Sequence, residues 1–288
     1  MDNLTPSERN LVSGNRKAAI SSRSRRFGLA AAVFVVLVGA WWLVTALGVV
    51  PPAYLPSPGA VIDAFVQANT CRPISEGSSR VVCGEFDYYM WQHLLASLGR
   101  IGIGVGAAIV LGPIAGFLMG TIGWLRDALD PYLNFLRALP PLGYVGLLIV
   151  WFGIGDVSKY WLLFLAAFPP LVIATMNGVR GVKQDHIRAA RSMGASRTQV
   201  ATRVLLPSVL PELLSGIRIA TGFAWTTVVA AELNNGIPGI GGLAYQAGTQ
   251  IQTALTIASI IVIGIVAVAL DSLIKFISRI LTPWHGRA

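Results

Sequence analysis

Four charged side chains, Arg100, Arg137, Arg218 and Glu232, stand within or beside stretches that otherwise carry almost no charge. A charge in an apolar setting either meets a charged solute or is neutralised by a partner, because leaving it bare is costly. Arg137 precedes the break at Pro140–Pro141, and Trp225 adds an aromatic surface between Arg218 and Glu232. Arg137, Pro140, Arg218, Trp225 and Glu232 are therefore candidates for lining a path. Structural ion pairing and snorkelling of long side chains are the competing reading. Covalent chemistry is poorly served. His93, His186 and His285 are far apart, and neither H-E-x-x-H nor G-x-S-x-G occurs, which argues against a metal or nucleophile site. The phosphate-cradling G-x-x-x-x-G-K-[ST] is absent too, and no lysine even follows a glycine.

The elements that must hold these residues follow from composition. Only 12% of the 288 residues are charged and 54% are hydrophobic, whereas a soluble domain carries about 25% charged residues. Charge-free runs cover 27–50, 101–125, 138–155, 160–179 and 233–270. About 20 apolar residues in a helix cross a bilayer, and only helices pair their own backbone there. The expected fold is an all-α membrane protein with six transmembrane helices, near 27–48, 93–119, 133–152, 160–179, 208–231 and 251–275. "RALPPL" (137–142) breaks or kinks the third. In the second, Gly102/Gly106 and Gly112/Gly116/Gly120 form stripes that admit a close second backbone, from this chain or across a dimer seam.

The net charge of +9 sits in three places. Arg9, Arg16, Lys17, Arg23, Arg25 and Arg26 precede the first span; Arg180, Lys183, Arg188, Arg191, Arg197 and Arg203 fill one loop; Lys275, Arg279 and Arg287 close the chain. The positive-inside rule puts all three in the cytoplasm, with both termini. Membrane lipid is the partner this pattern implies. Nucleic acid is not, because base-reading or stacking residues are missing among the basic ones. The chain then divides into a basic tail 1–26, a retained first span 27–48, an extracytoplasmic segment 49–92, a five-span core 93–280 and a tail 281–288. Cys71 and Cys83 fall in the outer segment. In an oxidising compartment they can pair, a loop closure worth about 3 kcal/mol in the chain-entropy model; two free thiols are the alternative.

The basic loop 180–206 has a regular design. Asp185 is a plausible N-cap for a helix from His186 to Met193, and Gly194 suits the left-handed residue that ends it. Ser196 and Gln199 have capping-box spacing, starting a second helix that ends at Leu206, with Pro207 in the first turn of the next span. Ile187, Ala190 and Met193 form a small apolar face flanked by arginines. A helix lying on lipid would want bulky anchors; Ala189, Ala190 and Gly194 suit close insertion into a protein groove instead.

These residues carry a family resemblance. "RAARSMGASRTQVATRVLLP" (188–207) resembles the EAA loop of ABC importer permeases: E-A-A, three residues, G, nine residues, I, one residue, L-P. Ala189, Ala190, Gly194, Leu206 and Pro207 match, Val204 stands for isoleucine, and Arg188 stands where the glutamate would be. "YLPSPGAVIDAF", "WQHLLASLGRI", "RALPPLGYVGLLIVWFGIGDVSK", "GIRIATGFAWTTVVAAEL" and "LTPWHG" are similar to the taurine, alkanesulfonate and nitrate branch, most of all to its taurine-import members. The resemblance runs from about residue 40 to the end. It implies a type I importer fold in a bacterial cytoplasmic membrane and a second copy of the chain completing the pore. It also implies two ATPase subunits holding ATP and Mg on the basic loops, an extracytoplasmic substrate-binding protein, and no enzyme activity or cofactor in this chain. A sulfonate zwitterion would meet a transient cation and aromatic surface along the path. Ile187, Arg188, Ala189, Ala190, Met193, Gly194, Ser196, Leu206 and Pro207 would then make the ATPase coupling surface. An ion-coupled carrier is the other class, although related halves and midplane carboxylates are missing.

Overall fold

A computed structural model describes Arg25 and residues 28–73, 81–233 and 235–284. The tail 1–26, apart from Arg25, and residues 285–288 of the tail 281–288 lie outside them. The chain falls into two units, Met1–Asp63 and Ala64–Ala288. In the first, helix α1 (Gly28–Ala46) is long and apolar enough to cross a membrane. It carries Leu29, Val33, Phe34, Val36 and Leu37 on every side, as a helix solvated by lipid does. The Trp41 indole N–H donates to the Pro56 carbonyl at 3.0 Å, folding the following loop back on α1. Helix α2 (Pro58–Gln67) opens with proline in its first turn, and the Ala60 N–H donates to the Ser57 hydroxyl at 3.2 Å.

The boundary between the units falls within α2, and a small hairpin follows in the second. Strands β1 (Cys71–Pro73) and β2 (Val81–Cys83) pair antiparallel with Cys71 opposite Cys83, and the two sulfurs are bonded. Then come the helices α3 (Met90–Thr121), α4 (Gly123–Ala138), α5 (Pro141–Phe152) and α6 (Asp156–Gly181). The basic loop holds α7 (Gln184–Ser192) and α8 (Arg197–Val200). A wide π turn (Ala201–Leu205) leads into α9 (Leu206–Glu232), followed by α10 (Ile240–Thr249) and α11 (Thr253–Leu281).

Helix α6 is the axis of this unit, packed along α3 on one side and α9 on the other. Small residues make the first contact possible. A Cβ on Gly104 would lie 2.6 Å from Leu163 Cβ, on Gly112 2.8 Å from Leu171 Cβ, on Gly116 2.7 Å from Thr175 Cβ and on Gly120 2.7 Å from Val179 Cβ. With Ala108, fully buried, these form a ladder of small residues every four positions. The expected stripe is thus corrected in its first half: Gly102 and Gly106 would meet nothing within 4 Å, and Gly104 takes their place. The packing is intramolecular along 104–120.

The paired numbers rise together, so α3 and α6 run parallel. Parallel neighbours require the chain to return between them, and α4 with α5 is that return. Neither is long enough alone, at about 24 and 18 Å, and they meet at a bend of 100°. Leu133 of α4 packs with Met119, Val172 and Met176, whereas Leu148 of α5 packs with Leu162 and Ala231, at the other end of α6. The expected third span, 133–152, is therefore two helices. Helix α4 starts at Gly123 and stops where Leu139 and Pro140 turn extended, because proline bars the preceding residue from helical geometry. On the other side of α6, Gly216 closes on Ala174 and Gly178 on Val209, an antiparallel match.

Arg197 to Glu232 is one helical run of 36 residues. The expected stop at Leu206 does not occur, since Leu205 and Leu206 keep helical dihedrals and Pro207 sits in the first turn of α9. At about 54 Å this run exceeds a hydrocarbon core of about 30 Å, so part of it stands clear of the hydrocarbon.

Two glycine variants test the ladder. Gly116→Val should destabilise the detergent-solubilised protein by about 1–3 kcal/mol, the usual range for overpacking, and lower its thermal unfolding midpoint. Gly102→Val should leave the midpoint in place; equal losses would mean that both faces are packed.

Candidate functional site

The basic loop folds as helix, tight turn, helix. Helix α7 begins two residues earlier than expected, at Gln184; Lys183 is its N-cap, no side chain closes it, and Asp185 lies in the first turn. There its carboxylate complements the helix dipole. It ends at Ser192, with Gly194 at a φ of +83°, where a side chain would be strained. The capping box of α8 is complete: the Gln199 N–H donates to the Ser196 hydroxyl at 3.3 Å, and the Ser196 N–H to Gln199 Oε1 at 2.8 Å.

The expected apolar face does not act as a unit. Ala190 turns inward at 8% exposure, Ile187 is half-buried, and Met193 projects at 82%. Arg188 is exposed and only loosely paired with Asp185, at 3.8 Å, a contact worth little in water. What the loop offers outward is therefore Ala189, Met193 and the arginines. Beneath them lies an open groove of about 410 Å³ lined by His186, Ala189, Ala190, Met193, Arg203, Val204, Pro207, Ser208 and Trp284. The C-terminal Trp284 has no counterpart in the sequence reasoning about this loop; its separation of nearly eighty positions hides it.

The path candidates occupy different settings. Arg137 is exposed in the last turn of α4, and Pro140 forms the elbow before α5. Arg218 Nε donates to Asp271 of α11, whose other oxygen takes Lys275 Nζ at 2.6 Å. This cluster of two cations and one anion is half-exposed on the outside of the single chain. Trp225 is buried, and its indole N–H meets no acceptor among the described residues.

Glu232 is a structural centre. It is 1% exposed. Its Oε1 accepts from Arg100 Nη1 at 2.6 Å and from the Ser97 hydroxyl at 2.7 Å, and its Oε2 from the Gly241 N–H at 2.8 Å. Arg100 Nε reaches Asp156 Oδ1 at 2.8 Å, and Lys159 Nζ donates to the Asn235 carbonyl at 2.7 Å. His93 extends the network: its Nδ1 accepts from the Gly239 N–H at 3.1 Å, leaving Nε2 to donate to the Glu85 carbonyl at 3.1 Å. The Ile240 N–H donates to Ser97 Oγ at 2.9 Å. Asp156, Lys159 and Ser97 were not singled out from sequence, and His93 was weighed only for metal or nucleophile chemistry. A signal existed, since the expected topology puts 93–100, 156–159 and 232 at the same end of their spans.

The family described as the binding-protein-dependent transport system inner membrane component matches residues 108–286. The taurine transport system permease protein TauC of Escherichia coli (strain K12) is 40% identical over 263 residues, covering 91% of this chain and 92% of that protein. SsuC of Bacillus subtilis (strain 168), a permease protein named for aliphatic sulfonates, is 33% identical over 87% of this chain and 85% of its own length. Among solved structures, the MetNI methionine ABC transporter in an inward-facing conformation matches with a TM-score of 0.59 and 22% identity, over 67% of this chain and 97% of that one. That likeness establishes the fold as that of a type I ABC importer permease.

The loop geometry fixes an expected labelling pattern. In membranes with this loop accessible, Met193→Cys should react quickly with a polar maleimide and Ala190→Cys slowly. Equal rates would mean that α7 is turned differently on its axis.

Proposed function

Given that this chain belongs to the binding-protein-dependent transport system inner membrane components, we propose that the solute it passes is taurine or a closely related sulfonate. The chain is the permease subunit of an ABC importer, a transport component and not an enzyme. Its family works with ATPase subunits and a substrate-binding protein. The alternative of an ion-coupled carrier falls with that membership. The observation that carries the choice of solute is the 40% identity to a taurine permease along 91% of the chain.

The working arrangement has two copies of this chain around the path, both termini in the cytoplasm and two ATPase subunits holding ATP and Mg. Orientation is supported by two independent features. A disulfide forms in an oxidising compartment, which favours an outside position for Cys71–Cys83. Three crossings separate it from the basic loop, namely α3, the α4–α5 return and α6, so the loop lies inside, where its arginines are expected. A second copy is supported by the Arg218–Asp271–Lys275 cluster, because charges near a span need water or protein beside them rather than lipid. With Arg218 on the path, its cation faces the sulfonate while Asp271 keeps the contact weak enough for release.

Each ATPase receives Met193, Ala189 and Arg188. Closure of the ATPase pair on ATP moves α7 and α8, and the run to Glu232 carries that movement through the membrane. Gly194→Val should strain the turn by about 1–2 kcal/mol and prevent co-purification of the ATPase while the spans still insert. The solute is tested by growth on taurine as sole sulfur source, with and without this gene. Loss of growth on deletion, restored by the gene, is expected; unchanged growth and unchanged taurine uptake would overturn the assignment.

A further inference from the structure

The first turn of α10 is held by side chains from other helices. The N–H groups of Gly239, Ile240 and Gly241 go to His93, Ser97 and Glu232. No side chain of α10 itself caps it. Two of those acceptors belong to α3, and the third is the last residue of α9. Arg100 joins Glu232 to Asp156 at the start of α6. The turn between α9 and α10 is pinned as well, through Lys159 to the Asn235 carbonyl. These groups are buried, apart from Asp156 and Asn235, and they satisfy one another's hydrogen bonds, so the assembly is stiff.

We infer that Glu232 and Arg100 are positioning residues for transport: they clasp the outer ends of α3, α6 and α9 to the start of α10, so that α10 follows movement delivered at the basic loop. The inference rests on the permease reading and adds to it the side chains that carry motion to the far side. Three features support it. The helical run Arg197–Glu232 ends in the clasp, so one continuous element joins the two ends. The small-residue contacts of α3 and α9 with α6 bind these helices along their length, and Gly241 brings the first turn of α10 close against Val229 of α9 where the clasp holds it. Helix α10 buries Ile240, Leu243 and Ala247 but leaves Tyr245, Gln246 and Thr249 exposed, a polar outer face that a moving block would carry with it.

The test uses the complete transporter, with its ATPase and binding protein, in proteoliposomes. Both native cysteines are in the disulfide, so Gln246→Cys gives a single reactive thiol on α10. In the parent, its alkylation rate should differ between the nucleotide-free state and the state trapped with ATP and vanadate. Glu232→Gln should erase that difference and lower taurine moved per ATP hydrolysed by about tenfold, the size of an ordinary coupling between linked sites. Assembly and ATP hydrolysis should persist. Ser97→Ala, which removes the link to Ile240 without leaving a charge unpaired, should act in the same direction and serves if Glu232→Gln does not assemble.

The inference is overturned if the parent shows no nucleotide effect at Gln246→Cys. It is equally overturned if an assembled variant keeps the parent's effect and stoichiometry, or if transport and hydrolysis fall in parallel, as a merely structural role predicts. Because the alkylation readout needs no particular solute, a parent that fails to move taurine would refute the solute assignment and leave this test standing.

Discussion

The Glu232 carboxylate sits where a bare charge would be intolerable, and it is answered on both oxygens. Arg100 and Ser97 share Oε1, and the Gly241 N–H takes Oε2. Removing one member of such a set leaves the others buried and unpaired, which costs several times what a surface pair contributes. The requirement reaches outward through Arg100 to α6 and through Ser97 and His93 to α10. One end of the bundle is thereby fixed in register, and the helices below it need only small residues to lie close. The glycines along α3 supply that closeness without any polar group, as suits a medium in which apolar surface gives no drive to associate.

The same medium explains the least regular part of the fold. Parallel neighbours α3 and α6 oblige the chain to recross, yet α4 carries Arg126, Asp127, Asp130 and Arg137. It lies at the end of α6 near Met176, and α5, uncharged, completes the passage toward Ala231. The elbow at Pro140 frees backbone groups that a straight helix would have paired. Such breaks are tolerated where protein surrounds them rather than lipid. A charged half and an apolar half, joined at a right angle, divide one crossing between two environments.

Much of this was legible in the residues. Long uncharged runs located the spans, because crossing lipid demands them, and the loop turned where Gly194 and the Ser196–Gln199 box said it would. Helix phase was not legible: Gly102 and Gly104 look alike in a pattern, and only the position of α6 separates the packed one from the open one. Nor was pairing, since Arg100 and Glu232 are 132 positions apart and any of several cations could have answered the carboxylate. The start of α4 was hidden for the opposite reason to the spans, as its charges broke the apolar signal. Pro207 lies in the first turn of α9, as its type suggests, but the expected stop before it is absent, and a π turn carries the helix on.

That π turn, Ala201–Leu205, has a consequence of its own. It holds one residue more than a regular turn would, and each residue of a helix accounts for about 100° of rotation. The wide turn takes up that residue, so the arginine-bearing helices keep about the bearing, relative to the membrane portion of the rod, that a regular helix one residue shorter would give them. Shortening 201–205 by one into a regular turn would remove one side chain yet leave a continuous helix with the loop facing much as before. The rod can thus gain or lose one residue here without re-aiming the loop, because the wide turn takes up the difference.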